Sequence, residues 1–312
     1  MGPRPVPRVA ILSDRVALVI NPASRSGAAA ESSVLRAFAA AGLRPTVERT
    51  REAGDGVRVA RELASAHDVL FVLGGDGTVM EAATGLAAAG SSAAIGILPG
   101  GTGNQLARAL SIPLSPARAV RRLLTATPRA IDAAILNGSR RVGIGAGLGL
   151  DAAMIAGAQG RLKRLLGAGS YMVSAMAAAV RPARFAVRAE VDGRVIEREC
   201  AVAMALNLGR MFNGMLEGAP GTSLLDGRLD LVLLDARHLL DFLDFSVTEA
   251  FLRRRRSDAR WTFASGSSIT IETPDASVRA QVDGDVIDER RLELTVAPGA
   301  LRLLIPKGGS VI

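Results

Sequence analysis

Residues 69–86 read VLFVLGGDGTVMEAATGL. An apolar run, Val69 to Leu73, meets Gly74 and Gly75, then one acid, Asp76, then Gly77 and Thr78. Two more turns rich in small residues follow apolar runs, NPASRSG at 21–27 and PGGTGN at 99–104. Glycine lets the backbone approach a ligand with no Cβ in the way, and the free N–H groups at a following helix start receive phosphate oxygens. One glycine pair is weak evidence, but three such turns in one half of a chain point to phosphate. No GxxxxGK[ST] occurs and no GxGxxG follows the first apolar run, so neither a Walker A loop nor a dinucleotide fingerprint accounts for them.

The acids near these turns have two readings. Asp76 before a helix is a ready N-cap, and a glycine-flanked carboxylate beside phosphates is also placed to bind magnesium or orient a phosphoryl transfer. Glu81 is open in the same way, as a cap or as a group reaching back to a nucleotide. In the second half, Asp226-Gly227 and Asp283-Gly284 read from the sequence alone as tight turns, with Asp285 immediately after the latter. Other chemistries are poorly supplied. Cys200 is the single cysteine and sits in an apolar stretch, which excludes a disulfide within the chain and a cysteine metal cluster. His67 and His238 are too few and too scattered for a zinc site.

The elements that must position these groups follow from the apolar pattern. Short continuous runs at Val16 to Ile20, Pro45 to Thr50, Val69 to Leu73 and Ala94 to Leu98 alternate with helical spacing over 28–41, Val57 to Ala66, about Val79 to Ala89, and Gln105 to Leu110. That alternation predicts a doubly wound α/β domain with a mainly parallel sheet, over 14–131. After Arg129, β-like runs dominate: Phe185 to Val191, Val195 to Leu206, Leu229 to Leu234, Ser268 to Ile271, Arg279 to Val282 and Leu292 to Val296. They predict a mainly antiparallel β domain over 132–312, with helices near 160–180 and 239–256 and a last run, Leu301 to Ile305, free to return to the first domain.

The 312 residues are 49% hydrophobic, enough for two domains of ordinary size. Net charge is +8, which favours anionic partners, though arginine supplies nearly all of it and follows the compositional drift that also made the chain alanine-rich. The run Arg253 to Arg256 reads as a solvated helix end or as a membrane-facing patch. The first residues lack the apolar region of a signal peptide, and no apolar run reaches the ~18 residues of a membrane span. The expectation is a cytoplasmic protein, peripheral at the inner membrane face.

The order NPxS…GGDGTxxE…PGGTxN resembles the diacylglycerol kinase catalytic domain, and more closely the bacterial lipid kinases that share it with sphingosine and ceramide kinases. The likeness continues through LNLGRMFNGMLEGAPGTSLLDGRLDLVLL and QVDGD, from about Val16 to Ile305. It implies a nucleotide-binding first domain, a β-sandwich second domain, ATP in the cleft between them, and magnesium. Carried over by motif, Asn21, Pro22, Ala23, Ser24, Arg25 and Thr50 would contact ATP. Gly74, Gly75, Asp76, Gly77, Thr78 and Glu81 would form the central phosphate loop, with Thr102 on the neighbouring turn. A structural magnesium would be held by Asp226 and the carbonyls of Ser223 and Arg228, and Asp285 would be the base, with Asp76 beside the metal at the phosphates. The chain departs from the family pattern at Arg25, where glycine is usual, and at Asp285, where glutamate is usual.

The implied activity is transfer of the γ-phosphate of ATP to a hydroxyl of a lipid such as diacylglycerol, in phospholipid biosynthesis. The alternatives are a sphingoid-base or ceramide kinase, a kinase of a soluble substrate like NAD kinase, and a nucleotide-binding regulator without catalysis. The expected partner is a lipid at the membrane surface, in a lining formed by 143–158 and 171–179. A homodimer is allowed. Nucleic acid is not expected, since aromatic residues are 3% of the chain.

Overall fold

The structure, a computed structural model, describes residues 15–149, 183–208, 210–211, 216–217, 223–236 and 260–308. The helices expected near 160–180 and 239–256, the arginine run at 253–256, and the parts of the expected lipid lining at 150–158 and 171–179 lie outside these residues.

The elements in chain order begin β1 (Val16–Ile20), α1 (Gly27–Ala40), β2 (Thr46–Arg49), α2 (Asp55–Leu63), β3 (Val69–Gly74), α3 (Asp76–Ala88), β4 (Ala94–Pro99), α4 (Gln105–Ala109) and α5 (Pro116–Leu123). There follow β5 (Thr127–Leu136), β6 (Arg140–Val142), β7 (Gly145–Gly149), β8 (Phe185–Val191), β9 (Arg194–Cys200), β10 (Val202–Leu206), β11 (Arg210–Met211) and β12 (Leu216–Glu217). The chain continues with β13 (Leu229–Leu234), β14 (Trp261–Gly266), β15 (Ser268–Glu272), β16 (Ala280–Val282), β17 (Asp285–Ile287) and β18 (Arg291–Ile305).

Two compact units emerge. The first takes the chain up to Ile131 and returns at Gly299; the second is Asp132–Pro298. In the first unit β2-β1-β3-β4 lie side by side, all parallel, and the end of β18 adds Leu303 opposite Ile95. β1, β3 and β4 are buried along their whole length, as continuous apolar runs require when both faces are covered. Helix α2 packs on α3, and α1 on α5. Phe38 of α1 meets Phe71 of β3 edge to face, with ring centroids 4.9 Å apart. The strand order places β2 on one side of β1 and β3 on the other. β1/β3 is therefore the topological switch point, where open α/β sheets bind ligands at the strands' carboxyl ends.

The second unit is a sandwich. One sheet runs from the first part of β18 through β15 and β8 to β9, and the other is β14-β13-β10-β7-β16-β17, with antiparallel pairing throughout. The core holds Leu229, Leu231 and Leu233 of β13, Val187 and Ala189 of β8, and Ile269 and Ile271 of β15. Their period-two spacing turns alternate residues inward.

Several boundaries differ from the sequence expectation. The run Val195 to Leu206 is two strands, split at Ala201, and β9 and β10 belong to different sheets. The runs at 292–296 and 301–305 are one strand, β18, continuous through Pro298-Gly299. Helix α3 begins at Asp76 rather than near Val79, so the GDGT stretch is largely the first helical turn. The sequence pattern did not mark α5 or the strands β5, β6, β7, β11, β12, β14 and β17.

Candidate functional site

The three small-residue turns of the first unit come together at the switch point. Asn21, just past β1, anchors its N–H on the Leu73 carbonyl at 2.9 Å. Its side chain divides its bonds: Nδ2 donates to Thr78 Oγ1 at 2.9 Å, while Oδ1 accepts the Ala23 N–H at 3.0 Å. Ser24 closes the same turn by donating from Oγ to the Asn21 carbonyl at 2.8 Å. Ser26 N–H donates to the Gly100 carbonyl, and Gly100 N–H to that of Gly74 at 2.7 Å, which links the first, third and second turns in sequence.

The glycines are required by closeness. A Cβ on Gly101 would stand 2.6 Å from the Gly75 Cα, and one on Gly74 would stand 2.7 Å from the Thr78 side chain. Asn104 adopts a left-handed conformation, φ 49°, and its amide both accepts from and donates to Gly101 at 2.9 Å. Helix α3 starts within the second of these turns, at Asp76, and a helix's first-turn N–H groups have no partner further back in the helix.

Asp76 does not cap its own helix. Its carboxylate accepts the N–H groups of Gln105 and Leu106, at 2.9 and 3.0 Å, and so caps α4 in the neighbouring turn. Burial pushes its pKa up, against the pull of those N–H groups, of its own N–H and of the Arg108 guanidinium. Glu81 likewise serves another helix: its two oxygens accept from Gly54 and Gly56, each at 3.0 Å, at the start of α2. Both acids are therefore caps in trans, an arrangement that neither local reading contained. Thr50 is buried, with its N–H on the Ile20 carbonyl at 2.9 Å. Pro22, Ala23 and Arg25 are exposed, and Thr102 and Gly77 are half-buried. No hydrogen bond or ion pair among the described residues engages Arg25.

In the second unit Asp226 sits in an exposed turn, its carboxylate accepting the N–H groups of Ser223 at 3.0 Å and Arg228 at 2.9 Å. Asp132 Oδ2 accepts the intervening Gly227 N–H at 2.8 Å. The expected metal set, one carboxylate with two main-chain carbonyls, is all oxygen and open to water, which fits a hard cation such as magnesium. Among the described residues no group of three or more His, Cys, Asp or Glu could hold a metal, so such an ion would depend on those carbonyls and on water.

Asp283 and Asp285 differ sharply. Asp283, at φ 51°, accepts three backbone N–H groups, from Gly143 at 3.0 Å, Ile144 at 2.8 Å and Gly145 at 3.1 Å. Asp285 opens β17 with its side chain 64% exposed, 3.5 Å from the Arg140 guanidinium. Asp283 is thus consumed in structure, whereas Asp285 is open to solvent. The described part of the expected lipid lining is tightly packed. A Cβ on Gly145 or Gly147 of β7 would stand 2.5 or 2.6 Å from a carbonyl of β10. Sequence reasoning missed Asp132 and Asn207, although an acid inside the apolar run AIDAAIL was a usable signal.

Comparison with known proteins agrees with this layout. Residues 15–136 match the family described as diacylglycerol kinase catalytic domain, and residues 145–305 match the YegS C-terminal NAD kinase beta sandwich-like domain. A Pseudomonas aeruginosa protein named "Probable lipid kinase YegS-like" is 30% identical over 306 residues, covering 96% of this chain and 97% of its own. A diacylglycerol kinase of Bacillus subtilis is 32% identical over 214 residues, 67% of this chain and 69% of its own. The crystal structure of a diacylglycerol kinase from Bacillus anthracis superposes with TM-score 0.77 at 24% identity, over 95% of this chain and 98% of that one, a likeness of fold. Both halves are matched in order and relatives run nearly end to end, so the chain belongs to the family of lipid kinases built on the diacylglycerol kinase catalytic domain.

Proposed function

We propose that this lipid kinase transfers the γ-phosphate of ATP to a hydroxyl of diacylglycerol. The observation that carries the ATP part is the junction of three glycine turns at the start of α3, since a helix start offers N–H groups that the helix itself does not use and the positive end of its dipole. Asn21, Ser24, Thr78 and Thr102 border it, and Arg25 supplies an uncommitted guanidinium suited to phosphate oxygens. Asp76 acts there by fixing the PGGTGN turn against the GGDGT turn. Diacylglycerol is favoured as substrate by the name of the Bacillus subtilis relative.

Asp285 is the base, accepting the proton of the lipid hydroxyl as its oxygen bonds to the γ-phosphorus of ATP and the bond from that phosphorus to the β,γ-bridging oxygen breaks, releasing ADP. Its exposure supports that role, and Asp283 holds the hairpin that carries it. Asp226, with the carbonyls of Ser223 and Arg228, would hold a structural magnesium, which would supply a fixed positive charge binding that turn together. No helix among the described residues is long and apolar enough to cross a membrane. We place the enzyme at the membrane surface as a peripheral protein, drawn there by its positive charge.

The test is incubation with γ-labelled ATP, magnesium and mixed micelles of diacylglycerol, sphingoid base, ceramide or monoacylglycerol, with NAD as a soluble control and Asp285→Ala alongside. Label in diacylglycerol, lost in the variant, is the expected result. Label in a different lipid, or only in NAD, overturns the substrate.

A further inference from the structure

We propose that Asn207 is a positioning residue that holds the Asp226 turn and the Asp285 hairpin in one fixed arrangement, through its two amide N–H bonds. The inference rests on the roles proposed above for those two acids. Asn207 follows β10 and is 1% exposed. Its Nδ2 donates to the carbonyls of Asp132 and Gly143, each at 3.1 Å, and its backbone N–H donates to the Ile144 carbonyl at 2.9 Å.

Each partner leads to one of the acids. Asp132, itself 5% exposed, grips the metal turn from both sides. Its N–H donates to the Leu224 carbonyl at 2.7 Å and its Oδ2 accepts the Gly227 N–H at 2.8 Å, with Asp226 between. Gly143 leads the other way. With Ile144 and Gly145 it donates to the Asp283 carboxylate, and Asp283 N–H returns a bond to the Gly145 carbonyl at 3.0 Å. Asp285 lies two residues further on, its direction set by that anchored turn. The path from one acid to the other thus runs through backbone groups and three short side chains, with no long flexible member.

The chemistry explains the residue type. One planar NH2 offers two donors in a fixed fork; serine offers one, and aspartate and leucine offer none. A second observation is that Asn207 Oδ1 is buried without a hydrogen-bond partner. Burying an amide oxygen unpaired is costly. A leucine there would avoid that cost but could not join the two carbonyls.

The experiment uses the full chain as wild type, Asn207→Leu, Asn207→Ser and Asp226→Ala. Without nucleotide, Mn2+ binding is measured by electron paramagnetic resonance of the free ion. Melting temperature, kcat for lipid phosphorylation and KM for ATP are measured alongside. Partners behind a metal ligand typically matter by about 10- to 100-fold. Asn207→Leu is therefore expected to weaken Mn2+ binding about tenfold and lower kcat by a similar factor, with KM for ATP within about twofold. Asn207→Ser should fall between, and it decides the question if the leucine variant does not fold. A lower melting temperature with unchanged Mn2+ affinity and kcat overturns the inference, as does a wild type whose Mn2+ binding is absent or survives Asp226→Ala. If the wild type binds Mn2+ through Asp226 yet labels no lipid, the phosphotransfer reading fails separately, and Asn207 is then judged on Mn2+ affinity.

Discussion

The carboxylate of Asp76 and the backbone N–H of Gln105 lie 2.9 Å apart, so the acid of one glycine turn closes the helix that starts in the next. The bond fixes the spacing between two glycine loops whose backbones nearly touch at Gly75 and Gly101. The pattern GGDG therefore contains its own brace, and the brace is an ionisable group under desolvation.

Removing it should show in both stability and rate. Asp76→Ala leaves the N–H groups of Gln105 and Leu106 uncapped, at a cost of about 1–2 kcal/mol. It should also lower lipid phosphorylation by more than about 100-fold, because misplacement near 1 Å in a phosphate site carries penalties of that order. Urea unfolding followed with a turnover assay checks both. A variant of unchanged stability and near wild-type rate refutes the brace.

The same burial has a pH signature. The pKa of Asp76 is raised in the folded state, so its contribution to stability is fully present below the unfolded value, about 4, and is lost as pH rises through the folded value. Asp76→Asn cannot ionise. Its stability, measured by urea titration from pH 4 upward, should fall less steeply with pH than that of wild type. Parallel curves argue against the raised pKa.

How much of this was legible in the sequence divides along a physical line. Continuous apolar runs gave β1, β3 and β4 nearly to the residue, because a strand buried on both faces leaves no polar break. GGDGT and PGGTGN located the turns, because only glycine permits their approach. Hidden from sequence were bonds between segments far apart in the chain. Asp76 to Leu106, Glu81 to Gly56 and Asp283 to Ile144 are tertiary caps, and nothing local distinguishes them from caps of their own elements. Strand β9 merged with β10 for a related reason: the chain changes sheets at Ala201 without a turn residue to mark it. Proline and glycine in β18 suggested a break that the strand absorbs.

Gly101→Ala tests the turn junction independently of charge. The added Cβ would meet the Gly75 Cα at 2.6 Å, and a backbone atom cannot swing aside. KM for ATP should rise by about tenfold or more while the second unit is untouched. Initial-rate kinetics across ATP concentration decide it; an unchanged KM would separate the glycine junction from nucleotide binding.

Asp192 gives a test with the opposite pH sign. At the β8–β9 hairpin tip it accepts the Ser267 hydroxyl at 2.9 Å, together with the N–H groups of Ser267 and Ser268, and these bonds hold its pKa below the usual carboxylate range. A depressed folded pKa contributes stability that is present above the unfolded value and lost as pH falls through the folded one. Asp192→Asn should therefore melt lower than wild type at pH 7, with the difference shrinking below about pH 4. A difference independent of pH would assign the effect to shape alone.

Cys200 reports on the β9–β10 junction where the chain changes sheets. It is fully buried, and burial raises its thiol pKa to about 12, so almost no thiolate exists at pH 8. Ellman's reagent added to the native protein at that pH should therefore react only at the rate of local opening, and the single thiol should appear in full once urea unfolds the chain. Because it is the sole cysteine, the signal needs no background correction. Rapid stoichiometric labelling of the folded protein would mean that the junction, and with it the closed core of the sandwich, opens far more readily than its packing implies.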